Sequence, residues 1–203
     1  PVLPALMILP VVGAVLVALL PRRRPEVVKQ VAIVFSVATA GIAFWILGAF
    51  ETGSDAPTFQ FTEYQPWIAD LGIAWNFGLD GISLFLVVLT ALLFPIALLA
   101  VDPGHNERSY FAWMLLLEAG VLGVFCVLDL VLFFLCFEVV LVPMYFLIGR
   151  WGHGNRTYAA TKFFLFTMAG SALMLVGILA VGFLHSGATD RSITFDLIEI
   201  AEA

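Results

Sequence analysis

Six long apolar runs, separated by short polar segments, organise the chain. We place helices at about 3–20, 27–50, 79–101, 109–128, 130–150 and 157–184. Each run supplies the roughly 20 residues that a helix needs to cross a hydrocarbon core of about 30 Å. The pattern therefore predicts an all-α integral membrane protein of about six transmembrane helices, which form a single membrane domain over residues 1–203.

The longest connection, residues 51–78, follows a different pattern. It is rich in residues that favour turns, namely Thr52, Gly53, Ser54, Asp55 and Pro57, then Gln65 and Pro66. Apolar residues alternate towards its two ends, at Phe59 and Phe61 and at Ile73, Trp75, Phe77 and Leu79. Alternation around a turn predicts a β-hairpin, which we expect on the membrane surface. The tail 185–203 is polar and acidic, with Ser192 and Thr194 as candidate helix starts.

Basic residues predict the orientation. The side that contains loops 21–26, 102–108 and 151–156, or the adjoining helix ends, holds Arg22, Arg23, Arg24, Lys29, Arg108, Arg150, Arg156 and Lys162. Only Arg191 lies on the opposite side. Because cytoplasmic loops are enriched in Lys and Arg, we expect these three loops to be cytoplasmic. The loop 51–78 and the tail would then face away from the cytoplasm.

Composition supports lipid as the solvent and argues against a resident redox centre. The 203 residues are 62% hydrophobic and 12% charged, with a mean hydropathy of +1.06. Cys126 and Cys136 lie in apolar runs with no CxxC pair, so we interpret them as small apolar thiols. The sequence shows no pair of histidines suited to haem, no Gly-rich nucleotide loop and no metal-ligand cluster. We therefore expect no cofactor in this chain, and ion movement as its work.

Three ionisable residues interrupt the apolar runs: Glu118, Glu138 and Lys162. A charge at this depth costs at least ~2.5 kcal/mol, so such residues usually face a bundle interior. Counted from a turn near Asp129, the two glutamates lie ~16 and ~14 Å deep. They could share a proton if they face each other. The alternative is a neutral glutamic acid that hydrogen-bonds between helices and only supports packing.

Glu138 has the more informative surroundings. Pro143 removes one backbone N–H and obstructs the carbonyl of Val139, which could admit water, although an ordinary kink is an equal alternative. Tyr145 lies on nearly the same helix face as Glu138. Lys162 lies ~10 Å shallower than Glu138, so it either extends to the cytoplasmic interface or acts on a buried carboxyl through an intermediary.

Two short runs contain small residues. The runs Gly120–Gly123 and Gly170–Ser171 are typical of close helix packing in membranes.

Three stretches carry a family resemblance. Residues 133–149, FFLCFEVVLVPMYFLIG, resemble the fifth helix of subunit M (chain 4) of proton-translocating NADH-quinone oxidoreductase, respiratory complex I. Residues 78–83, GLDGIS, resemble the start of its third helix. Residues 158–164, YAATKFF, with Gly170 and Ser171 resemble its sixth helix. The matches keep their order and spacing over roughly residues 75–185.

The resemblance implies a translocase subunit without a redox centre of its own. Family members have about fourteen helices in two inverted five-helix repeats, and NADH, FMN, iron–sulfur clusters and quinone act elsewhere in the complex. In the family, the glutamate matched by Glu138 pairs with a helix-seven lysine. That position lies beyond Ala203, and Lys162 does not match it. We therefore expect an N-terminal portion of the subunit.

The resemblance also implies partners and a location. We expect other membrane-arm subunits, including neighbouring antiporter-like subunits, and the lipid bilayer as partners, but no nucleic acid. The expected location is the bacterial cytoplasmic membrane, or alternatively the mitochondrial inner membrane. Two other interpretations stay open: a subunit of a multi-subunit Na⁺/H⁺ antiporter or membrane-bound hydrogenase, and a passive membrane scaffold in which Glu138 only supports packing.

Overall fold

The computed structural model describes residues 1–21, 24–53, 56–189 and 193–201. Its long helices are α1 (Val2–Leu19), α2 (Pro25–Ala49), α3 (Gly81–Ala100), α4 (Glu107–Cys126), α5 (Leu130–Trp151) and α6 (Arg156–Thr189). All six contain stretches long and apolar enough to cross a membrane. The predicted all-α membrane fold is therefore confirmed. Six residues used in the sequence predictions lie outside the described part of the chain: Arg22, Arg23, Ser54, Asp55, Arg191 and Ser192.

The predicted hairpin is present between α2 and α3. Strand β1 (Gln60–Ile68) pairs antiparallel with β2 (Ile73–Leu79), and a single 3₁₀ turn joins them. The turn ends at Gly72, whose φ of +66° is a conformation that favours glycine.

The turn does not lie where the sequence placed it. Gln65 and Pro66 were expected in a turn, but they pair with Trp75 and Ala74 inside the sheet. Both strands of a two-stranded sheet are edges, so a proline that lacks an N–H is tolerated there.

The start of α3 is set by a capping box. The Asp80 carboxylate accepts a hydrogen bond from the backbone N–H of Ser83, and the Ser83 hydroxyl accepts one from the N–H of Asp80. This reciprocal pair satisfies N–H groups that the first helical turn cannot. Leu79 therefore ends β2, and the helix begins at Gly81, two residues later than predicted.

The helices pack in a continuous series. Helix α1 packs against α2 and α4, α2 packs against α3 and α4, and α3 packs against α4. Helix α5 then packs against α4, and α6 packs mainly against α5. Consequently α4 is the most enclosed helix, and α6 lies at the margin of the bundle.

Cationic side chains occupy the end of the bundle that the sequence assigned to the cytoplasm. Lys29 Nζ donates to the carbonyl oxygens of Leu99 and Val101, at 3.0 and 2.8 Å. Arg108 donates to the carbonyl oxygen of Leu20, at 3.2 Å. These acceptors lie at the C-terminal ends of α3 and α1, where the helix dipole favours positive charge. The orientation relative to the cytoplasm itself stays a prediction.

At the opposite end, three segments are hydrogen-bonded into what we call the hairpin-end clasp, formed by residues 72–76, 128–132 and 193–199. Leu128 N–H donates to the carbonyl of Asn76, and Leu130 N–H donates to that of Phe195. Phe195 is buried and packs against Ile73 and Ile178. The polar tail thus includes a segment that is part of the folded core.

A short helix, α7 (Leu197–Ala201), follows this segment. Thr194 was a candidate for its start, but the cap is Asp196, whose Oδ1 accepts hydrogen bonds from the N–H groups of Ile198 and Glu199. Asp is among the residues preferred at a helix N-cap. Thr194 instead accepts a hydrogen bond from the N–H of Asp196 through its hydroxyl.

Candidate functional site

Glu118 lies in the middle of the bundle, on the face of α4 that meets α2. Its side chain is fully buried, and Ser36 of α2 donates a hydrogen bond from Oγ to Glu118 Oε1, at 3.0 Å. Glu118 Oε2 has no hydrogen-bond partner among the described residues. One oxygen is therefore held by a second helix, and the other remains able to accept or carry a proton.

Two glycines define the contact of α4 with α5. A Cβ at Gly120 would lie 2.8 Å from Cγ2 of Val140, and one at Gly123 would lie 2.8 Å from Sγ of Cys136. The predicted close packing at Gly120–Gly123 is confirmed. Successive helical residues are about 100° apart, so Glu118, two residues from Gly120, lies about 200° around α4 from this contact.

Glu138 also lies away from the α4–α5 contact, but on the other helix. It is two residues from Cys136 and two from Val140, the residues that meet the glycines of α4. Both steps place Glu138 about 200° around α5, on the side opposite α4. The two glutamates therefore do not face each other, and the condition for direct sharing of a proton is not met.

Glu138 belongs to the face of α5 that meets α6. Phe134, four residues earlier, packs in a cluster with Ile178 of α6, and Tyr145, seven residues later, meets Phe164 with ring centroids 5.4 Å apart. Glu138 is half-buried, and its Oε1 atom is buried with no hydrogen-bond partner among the described residues. Burying a carboxyl oxygen without a hydrogen-bond partner is costly, which makes Glu138 the candidate functional residue of α5.

Lys162 lies on the far side of α6. Ala160 lies 3.3 Å from the position that a Cβ at Gly149 of α5 would occupy, so position 160 faces α5. Lys162, two residues later, points about 200° away from that contact. It is exposed, with Nζ 5.8 Å from the centre of the Tyr158 ring. Within this chain, Lys162 and Glu138 are therefore not brought together.

Pro143 is buried inside α5, which runs without a break from Leu130 to Trp151. It lies five residues after Glu138, about 140° around the helix, so its ring and the carboxyl occupy different faces. Tyr145 shares the face of Glu138, as the sequence predicted.

Sequence reasoning missed Ser36 as the partner of Glu118 and misread the run Gly170–Ser171. Ser36 is a buried polar residue in the apolar α2, and this mismatch was a usable signal. In the second run, a Cβ on Gly170 would meet none of the described residues within 4 Å, so this glycine makes no close helix contact with them. Ser171, in contrast, is buried.

The fold is therefore that of a polytopic membrane protein with protonatable groups between its helices. Residues 127–201 match the family described as NADH:quinone oxidoreductase/Mrp antiporter, transmembrane. Subunit M of NADH-quinone oxidoreductase from Rhodobacter capsulatus is 42% identical over 165 residues, covering 80% of this chain and 31% of the relative. The chain belongs to this antiporter-like membrane family, and the relatives it matches are named chain 4 or subunit M.

Solved structures show the same fold. A chain of respiratory complex I from Thermus thermophilus aligns with a TM-score of 0.82 and 26% identity, over 100% of this chain and 39% of that chain. A chain of the Mrp complex from Dietzia sp. aligns with a TM-score of 0.76 and 20% identity, over 98% of this chain and 21% of that chain. The matched region spans less than two fifths of the length of the relatives named chain 4 or subunit M.

Proposed function

We propose that this chain contributes a proton relay to an antiporter-like subunit of proton-pumping NADH-quinone oxidoreductase. Quinone reduction elsewhere in the complex would drive the transport. The partners would be other membrane-arm subunits, and the bacterial cytoplasmic membrane would be the location. The relatives named chain 4 or subunit M support this assignment.

Glu138 is the proposed relay residue, because it combines a carboxyl group inside a membrane helix with a buried oxygen that lacks a partner among the described residues. A carboxyl at such a site can take up a proton and release it to water or to another residue. A purely structural glutamic acid would be expected to satisfy both oxygens with neighbouring donors. Glu118 Oε2 also lacks a partner among the described residues, but Glu118 is fully buried and bonded to Ser36, whereas Glu138 is half-buried and therefore better placed to exchange a proton.

Glu118 and Lys162 have weaker claims on the relay. Glu118 is fixed to Ser36 and points away from Glu138, which suits a residue that holds α2 against α4 or carries protons in a separate branch. Lys162 is exposed on the free face of α6, where it would act only through a group supplied by another part of the assembly. We therefore assign the central role to Glu138 alone.

The test is NADH-driven proton transport by the assembled complex in membrane vesicles. Glu138→Gln keeps the size of the side chain but cannot ionise, so proton transport should fall at least tenfold while the complex still assembles. Glu26→Gln is the matched control, since Glu26 is an exposed carboxyl in the first turn of α2. Normal transport by an assembled Glu138→Gln complex would overturn the proposal.

The related Mrp-type antiporters are the second candidate, because they share both the family description and the fold. The same vesicles distinguish the two functions. Proton movement driven by a sodium gradient, without NADH, would favour an antiporter. Proton movement that requires NADH oxidation favours the oxidoreductase.

A further inference from the structure

Two contacts set the register between α5 and α6. Position 149 of α5 meets Ala160 of α6, and Tyr145 meets Phe164. Four residues towards the N-terminus of α5 therefore correspond to four residues towards the C-terminus of the antiparallel α6. A further seven residues on each helix lead from Tyr145 to Glu138 and from Phe164 to Ser171. Seven residues are close to two helical turns, so both positions stay on the facing sides.

The burial of Ser171 agrees with this register. Most of α6 is exposed in this chain, including Gly170 and Ala172 on either side, yet Ser171 is only 4% exposed. Further along, a step of seven residues on each helix pairs Val131 with Ile178, and these two residues belong to one apolar cluster. A hydroxyl therefore lies on α6 at the level of the Glu138 carboxyl, on the side that faces it.

The present hydrogen bond of Ser171 leaves it a free acceptor. Its Oγ donates to the carbonyl of Met168, at 3.1 Å, within its own helix. A serine hydroxyl has one proton to donate and two lone pairs to accept with. It can therefore receive a hydrogen bond from a protonated carboxyl while it keeps the bond to Met168.

We propose that Ser171 is a positioning residue for Glu138, whose hydroxyl turns as the carboxyl changes its protonation state. The two side chains are not hydrogen-bonded to each other in the structure, so when Glu138 is protonated its O–H reaches Ser171 Oγ through one water or a change of rotamer, and Ser171 donates to the carbonyl of Met168. When Glu138 is ionised, the Ser171 hydroxyl leaves Met168 and donates to the carboxylate, directly or through one water. Ser171 keeps its own proton in both states.

This inference rests on the proposed relay role of Glu138, and the pH dependence of transport tests it. Ser171→Ala removes the donor. Because hydrogen bonds to charged groups are stronger than those to neutral groups, the ionised carboxylate loses more than the protonated form does. The acid limb of the profile of NADH-driven proton transport should move to higher pH by roughly half to one unit.

Shape-matched variants separate the hydroxyl from the space it fills. Thr and Val have nearly the same shape, so Ser171→Thr should keep the wild-type midpoint and Ser171→Val should reproduce the shift of Ser171→Ala. Thr161→Ala is the control, because Thr161 donates a similar bond within α6, to the carbonyl of Thr157, but is exposed. Its profile should not move. If Ser171→Ala prevents assembly, the Thr and Val variants decide alone.

The outcomes distinguish the two proposals. If Glu138→Gln abolishes transport but the Ser171→Ala midpoint equals that of the wild type, the role of Ser171 is wrong and the relay stands. Identical midpoints for Ser171→Thr and Ser171→Val also contradict the role of Ser171. If an assembled Glu138→Gln complex transports protons normally, the relay itself is wrong.

Discussion

Glu118 and Glu138 lie at similar depths on neighbouring helices, but their side chains point away from the α4–α5 contact in opposite directions. Gly120 and Gly123 bring the two helices together between them. Ser36 of α2 holds one oxygen of Glu118, whereas Glu138 lies on the face that meets α6. The two carboxyls therefore belong to different interhelical layers.

This separation predicts that substitutions at the two glutamates act independently on stability. Residues without shared partners usually have effects that add within about 0.3–0.5 kcal/mol. We expect Glu118→Gln and Glu138→Gln to combine additively in the apparent free energy of unfolding in detergent, measured for both single variants and the double variant. A coupling above about 1 kcal/mol would show that the carboxyls interact.

Ser36 and Glu118 should, in contrast, be coupled. Ser36→Ala leaves a buried carboxyl oxygen without its donor, which costs about 1–3 kcal/mol. Once Glu118 is replaced by Leu, Ser36→Ala should cost much less. A double-mutant cycle should give a coupling of about 0.6 kcal/mol and at most about 1.7 kcal/mol, the mean and the maximum for hydrogen bonds between membrane helices. Additive effects would mean that the bond between Oγ and Oε1 contributes nothing to stability.

The glycines predict opposite effects for the same substitution. Gly120→Ala would place a methyl group 2.8 Å from Cγ2 of Val140 and 3.3 Å from the Val140 backbone nitrogen, forcing α4 and α5 apart. A methyl group at position 170 would meet none of the described residues within 4 Å, and alanine favours a helix by up to about 1 kcal/mol over glycine. Thermal unfolding should show a lower midpoint for Gly120→Ala and an unchanged or higher one for Gly170→Ala. A reversed order would contradict the described packing.

Asp129 predicts a pH effect at the hairpin-end clasp. Burial raises the pKa of this carboxyl above its ordinary value, although its hydrogen bonds from the N–H groups of Ala74, Leu132 and Val131 oppose the rise, and Asp196 adds to it. A raised pKa stabilises the fold at low pH, and this contribution is lost as the pH rises through the raised value.

Replacing Asp129 by asparagine, which does not titrate, should remove this dependence. The thermal midpoint of the wild type, measured relative to that of Asp129→Asn, should therefore fall as the pH is raised from about 4 to about 7. The comparison needs each protein at matched ionic strength, since Asp196 is a nearby charge. A relative midpoint that rises with pH would contradict the sign.

Much of the fold was readable from the sequence because the bilayer imposes a simple rule. A helix must have about 20 apolar residues, so six runs predicted six helices to within a few residues. The alternation of apolar residues predicted the hairpin but not the position of its turn. Proline is typical of turns, but an edge strand also tolerates it, and Pro66 lies in such a strand. Phe195 is buried by residues distant in sequence. The polar composition of the tail therefore gave no indication that Phe195 belongs to the core.

Only part of the site could be predicted from the sequence, and the reason is geometric. Depth follows from counting residues along one helix, and it placed Glu118 and Glu138 at similar levels. Which neighbour a side chain faces depends on how the helices are arranged around each other. Ser36 became the partner of Glu118 because α2, not α5, lies on that face of α4. A single sequence does not contain that arrangement in a local pattern.

The most direct test of the relay compares Glu138→Asp and Glu138→Gln in the assembled complex, with protons transported per NADH oxidised as the measured quantity. The account predicts that Asp, which keeps an ionisable carboxyl on a shorter side chain, retains part of the transport, whereas Gln loses at least nine tenths of it. Equal ratios for the wild type, Glu138→Asp and Glu138→Gln, with equal amounts of assembled complex, would contradict the relay.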